Sequence, residues 1–190
     1  AFAVGAGATK LVRTEIGLIL IDAGMHQVGG NINSALADAM VTRLEQAAGG
    51  EPIAEVVITH MHADHTALLP RIYARFEIGL LRVNALQAML PHGGGGNRLD
   101  ALVREMGAAR IAHVTDQVRR ELEAGGGPWD SAPTPEARRS QLQDAINTEA
   151  SNRLAAMRPT RVMLNIPSGG QVVAANLPLG DITIPEGLEP

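Results

Sequence analysis

The 190-residue chain contains no cysteine, which excludes a disulfide framework and any thiolate metal site. Phe, Trp and Tyr together make up 2 percent of it, so a core has to be assembled from Leu, Ile, Val, Ala and Met. Lys10 is the only lysine and the formal net charge is −4. A broad basic surface for nucleic-acid phosphates is therefore absent, although a short arginine-lined cleft is not excluded. There is no apolar run of about eighteen residues, hence no predicted transmembrane helix, and no basic stretch followed by an apolar leader. Lack of cysteine fits either side of a membrane, with the cytoplasm as the default expectation. Finally, the six histidines all lie at or before His113.

What is present is enough for one domain over residues 1–190, because 45 percent of the residues are hydrophobic and can bury a core without covalent staples. Residues 9–13 and 18–22 read as two strands joined by a turn at Glu15-Ile16-Gly17. Leu36, Met40, Leu44 and Ala47 keep helical spacing from Ser34 to Ala47, and Gly49-Gly50 ends that helix. A strand over 54–59 is expected next, then a helix over 66–76 and a strand over 80–83.

Asn97 caps a predicted helix carrying Leu99, Leu102, Val103 and Met106 on one face, followed by a strand over 110–114 and a helix over 116–124. Residues 125–133 have linker composition, with Trp129 as an anchor. Thr134-Pro135-Glu136 then starts a helix with the stripe Leu142, Ile146, Ala150, Leu154 and Met157. Residues 161–166 and 171–175 read as a hairpin.

Chemistry concentrates in His60-Met61-His62-Ala63-Asp64-His65, immediately after the apolar run Ala54 to Thr59. Neutral imidazoles bind borderline-soft divalent ions, and a carboxylate adds a hard anionic oxygen. One zinc takes about three or four protein ligands, so His60 and His62 can face one ion, and Asp64 and His65 a second beside it. Such a site makes a nucleophile from water at neutral pH and stabilises charge on the attacked centre. Asp64 is also the candidate catalytic group, orienting that water. The expected cofactor is Zn²⁺, one or two ions, with Mn²⁺ or Fe as alternatives.

His60-x-His62-x-Asp64-His65 resembles the signature of the metallo-β-lactamase superfamily, and Gly17 to Gly24, ending in Asp22-Ala23-Gly24, resembles that family's earlier strand with its aspartate and glycine. The resemblance covers about residues 1–90 and implies an α/β fold, an αβ/βα sandwich of two sheets covered by helices, incomplete in its C-terminal half. It further implies that Asp22 orients a metal-binding histidine. The stretch Val4 to Val12 is similar to the domain associated with DNA-uptake channels, although Ala6 and Ala8 stand where those domains usually carry a glycine and an acidic residue.

The family completes its site with later ligands. For these the resemblance offers His113 as the middle histidine and Asp181, in Leu179-Gly180-Asp181, as the bridging aspartate, while a last histidine is missing. His92, before four glycines, and His26, after the Asp22 turn, are alternatives that also read as surface histidines. The missing ligand, with a chain beginning at Ala1, predicts a processed chain, an excised domain or a partial product, completed by a complementary chain or by homo-oligomerisation.

The activity so implied is hydrolysis of a phosphodiester or ester, on a small-molecule or phosphodiester substrate, by a metal-activated water. The opposing class is a noncatalytic or partner-completed metal-binding domain; a diiron oxidoreductase, which resembles members having a fuller ligand set and a flavin-bearing partner domain, is a third.

Overall fold

A computed structural model of the chain describes residues 2–4, 7–25, 33–91, 97–165 and 171–177. In chain order the described elements are β1 (Phe2–Val4), β2 (Gly7–Thr14), β3 (Gly17–Ile21), α1 (Ser34–Ala48), β4 (Ile53–Ile58), α2 (Ala63–Thr66), α3 (Leu69–Arg75), β5 (Ile78–Asn84), α4 (Ala85–Ala88), α5 (Arg98–Gly125), a 3₁₀ turn (Pro128–Ser131), α6 (Pro135–Ala156), β6 (Thr160–Asn165) and β7 (Gln171–Leu177).

The strands form one seven-stranded mixed sheet in the order β1 to β7. β3, β4, β5 and β6 run parallel, while β1, β2 and β7 add antiparallel strands at the edges. Spatial order follows chain order throughout, and crossovers of the usual right hand carry α1, α3 and the start of α5 to one face. The burial pattern agrees. Leu20, Val56, Leu81 and Val162 stand in register across the four parallel strands, each at 0 percent exposure. They join one core with Val41 and Leu44 of α1, Leu69 and Ile72 of α3, and Leu99 and Met106 of α5.

The opposite face is half-buried. It carries Ile19, Ile21, Val57, Leu80 and Met163, with Glu55 and Arg82 paired at 2.6 Å in its midst. The resemblance implied a two-sheet sandwich incomplete in its C-terminal half, and the described residues make one sheet flanked by helices, which fits that incompleteness. The physical reason lies in how the chain is used after β5: residues that would have to supply further strands form the long helices α5 and α6 instead.

α5 corrects one expectation. Residues 110–114 are not a strand but the middle of a single 28-residue helix that also absorbs the predicted helix over 116–124. Its buried stripe continues through Met106, Arg110, Val114 and Val118, and Arg110, a charged residue at a core position, breaks the apolar periodicity by which a helix is read. Arg110 is 4 percent exposed; its guanidinium lies 4.0 Å over the Tyr73 ring and donates to the Phe76 carbonyl at 2.6 Å. Burial holds it below the ordinary arginine value, and the same burial raises the Tyr73 phenol.

The distal halves of α5 and α6 pack on each other through a separate small core of Val114, Val118, Ile146 and Ala150. Leu142, Leu154 and Met157 pack against it, so the predicted stripe of α6 faces α5. Trp129, in the 3₁₀ turn between the helices, is buried at 6 percent exposure, as an anchor would be.

Candidate metal centre

The motif leaves the carboxyl end of β4, beside the carboxyl end of β3, where ligand sites of parallel sheets lie. It is not wholly a loop. His62 is the N-cap of α2, and Asp64 and His65 sit within that helix.

One donor atom from each of His60, His62 and Asp64 lies within 4.8 Å of the others. His62 is exposed and the other two half-buried. Two imidazole nitrogens and a carboxylate oxygen at this spacing fit a divalent ion such as zinc, with room for solvent or substrate on the open side.

Asp22 organises the histidines from below. Its backbone has φ 55, in the left-handed region, at a residue type that tolerates it. Asp22 is 4 percent exposed, and its carboxylate accepts from the Thr59 N–H at 2.8 Å and from the Thr59 hydroxyl at 2.8 Å. It also lies 2.9 Å from His65 Nδ1. A hydroxyl has one proton, so Thr59, while donating to Asp22, is an acceptor for His60 Nδ1, 3.2 Å away. Both rings are thereby set with Nδ1 protonated, leaving Nε2 as the lone-pair nitrogen. His65 Nε2 is 3.5 Å from Asp64 Oδ2, and the His60 and His65 ring centres are 3.5 Å apart.

The Asp22 turn also carries the backbone of the motif. Ala23 N–H donates to the His65 carbonyl at 2.7 Å and Leu68 N–H to the Ala23 carbonyl at 2.8 Å. Gly24 is pinned at both its N–H and its carbonyl by the Thr9 hydroxyl, each at 3.1 Å. A Cβ on Gly24 would lie 1.6 Å from the Asp64 carbonyl oxygen, so only glycine permits this approach.

A family model described as the metallo-beta-lactamase superfamily matches residues 4–137. The chain belongs to the metallo-β-lactamase superfamily. The match runs beyond the 1–90 stretch in which the sequence resemblance was visible and takes in all of α5. No curated protein and no solved structure matched the chain.

Of the residues that the superfamily resemblance suggested, the structure brings together His60, His62 and Asp64, with His65 beside them and Asp22 against His65. His113 is elsewhere. It is the sixteenth residue of α5, about 22 Å along the helix axis from Arg98 at the motif end. It lines a shallow cleft with Gln117, Arg120 and Glu121. Burial, followed by the charges of Arg75 and Arg120, holds its imidazole below the ordinary value. Asp181, His92 and His26 lie outside the described residues.

Three contributors had no place in the sequence reading. Thr59 was seen only as the end of a strand. Gln87 and Arg98 meet the motif from 26 and 37 residues away, and no local pattern marks them.

Proposed function

We propose that this protein is a metal-dependent hydrolase whose ion is held by His60, His62 and Asp64, with His65 as a further ligand. The convergence of three donor atoms within 4.8 Å carries the reading. A divalent ion there supplies Lewis acidity and brings the ionisation of water toward neutral pH. Asp64 accepts a hydrogen bond from the attacking water and orients it. Asp22 accepts from His65 Nδ1–H and, through the Thr59 hydroxyl, orients His60, which keeps both Nε2 atoms available. Zinc matches the donor set best, and manganese or iron also accept nitrogen and carboxylate ligands.

A phosphodiester is the first substrate class to try, because the segment Val4 to Val12 resembles that of DNA-uptake domains. An ester is the second. A noncatalytic or partner-completed centre is the competing reading, favoured by the fact that the three clustered donors come from one five-residue stretch while His113 lies on a different part of the molecule.

Metal analysis of gently purified protein beside His62→Ala tests the proposal. One or two ions per chain, lost in the variant, together with turnover of an activated phosphodiester or ester, is the expected result. One ion without turnover across both substrate classes supports the noncatalytic centre, and metal content that ignores His62→Ala removes the site altogether.

A further inference from the structure

Met61 stands between two of the proposed ligands, yet its side chain is buried in the main core at 7 percent exposure. Its backbone groups find no backbone partner among the described residues. Two side chains hold them instead. The Met61 N–H donates to Gln87 Oε1 at 2.7 Å, and the Met61 carbonyl accepts from Arg98 Nη1 at 3.3 Å.

These two side chains are themselves fixed. Gln87 is on α4, and its own N–H donates to the cap Asn84 Oδ1 at 3.3 Å, at the end of β5. Arg98 is the first residue of α5, directly after Asn97, which forms a reciprocal capping box with Asp100. Both groups thus stand on the ends of regular elements, on the side of the motif away from the Asp22 turn in the chain.

A peptide unit is planar, so a hydrogen bond to its N–H or carbonyl restrains the whole plane to which that group belongs. The Met61 N–H lies in the plane shared with His60, and its carbonyl in the plane shared with His62. Holding both restrains the two dihedrals of Met61, which contribute to the angle between the histidine Cα–Cβ bonds on either side.

We propose that Gln87 and Arg98 are positioning residues that fix the Met61 backbone and so set the metal affinity of the motif. The inference rests on the metal-binding reading above. Neither residue touches the ion; each acts through the peptide it holds, with Gln87, at the shorter distance, the stronger of the two.

The test is Zn²⁺ affinity by chelator competition, with the visible spectrum of the Co²⁺ form and the melting temperature of the metal-free protein. Wild type, Gln87→Leu, Gln87→Glu, Arg98→Ala and His62→Ala are compared. Gln87→Leu, which removes the acceptor but keeps the volume, is expected to bind Zn²⁺ about 10- to 100-fold more weakly. Its Co²⁺ bands should shift, with the metal-free melting temperature within about 4 °C of wild type. Gln87→Glu keeps the acceptor and should restore affinity and spectrum. Arg98→Ala should show the same changes on a smaller scale.

Wild-type affinity and spectrum in Gln87→Leu overturn the inference. So does a loss that Gln87→Glu does not restore, or one that tracks the melting temperature. If Gln87→Leu does not fold, Arg98→Ala decides, and an unchanged spectrum and affinity there have the same consequence. Binding lost in His62→Ala but intact in the Gln87 and Arg98 variants refutes only the positioning role; binding unaffected by His62→Ala refutes the metal reading and this inference with it.

Discussion

Around the motif, Asp22, Ala23 and Gly24 meet Thr59 to His65 through backbone atoms and buried polar groups, whereas the distal halves of α5 and α6 meet through four buried side chains, Val114, Val118, Ile146 and Ala150. Contacts of the first kind are directional, and a change of one atom is felt. Those of the second are nearly shape-blind and tolerate exchange of one apolar group for another of similar volume. Arg110 lies between the main core and the small one, stacked on Tyr73 of α3 and 3.2 Å from the sulfur of Met157 beyond α6. The molecule thus separates a region whose geometry must be exact to a fraction of an ångström from one that has only to exclude water.

The largest way to break that comparison is Gly24→Ala. Its new Cβ would overlap the Asp64 carbonyl, which belongs to backbone and cannot swing aside. A loss of ~3 kcal/mol or more in urea unfolding, together with loss of bound metal, is expected. If Gly24→Ala is as stable as wild type, the close approach of the two turns is wrong.

Ile146→Ala probes the other region. The side chain is 2 percent exposed in the small core, so unfolding should cost ~2–4 kcal/mol less, while metal stoichiometry stays at the wild-type value. A parallel loss of metal would join the regions that the packing separates.

Asp22→Asn sharpens the contrast, because it preserves shape and changes only charge and hydrogen-bonding sense. The amide would place a donor against His65 Nδ1 or leave Thr59 with a poorer acceptor. Zn²⁺ affinity by chelator competition should fall about 10- to 100-fold, and equal affinity would show that the carboxylate does not set the rings.

His113→Gln gives the smallest effect. The folded His113 lies below its ordinary value of 6.5, first through burial and then through Arg75 and Arg120. As pH falls through that value the unfolded chain takes up the proton first, so the stability present above it is progressively lost. The wild-type urea midpoint should therefore drop faster than that of His113→Gln between about pH 7.5 and 5.5. Parallel midpoints would mean that His113 is as exposed when folded as when unfolded.

The sequence was most legible where local signals agree. α1 was expected from Ser34 to Ala47 and runs to Ala48, because its apolar spacing ends at Gly49, which takes up φ 65 as the C-cap. β4 and the clustered His60, His62 and Asp64 were legible for the same reason, since strand, turn and ligands are neighbours in the chain. α5 was not, because a buried arginine at position 110 finds its partners in Tyr73, Phe76 and Met157, none of them local. Gln87 and Arg98 escaped for the same cause: a side chain that holds a distant peptide leaves no period in the sequence. The second sheet was expected from the resemblance alone, and residue patterning by itself had already read the stretch after Thr134 as helix.

The three clustered donors, spaced over five consecutive residues, have a consequence for how an ion would act on folding. An ion can gather ligands this close together on a chain that has lost its sheet, so the unfolded ensemble also binds it. Stabilisation by a ligand depends on the difference between its affinities for the two states. Added metal should therefore raise the unfolding midpoint by less than its affinity for the native protein alone would give, and the shortfall measures how much of the centre is already written in the Thr59 to His65 segment before the sheet assembles around it.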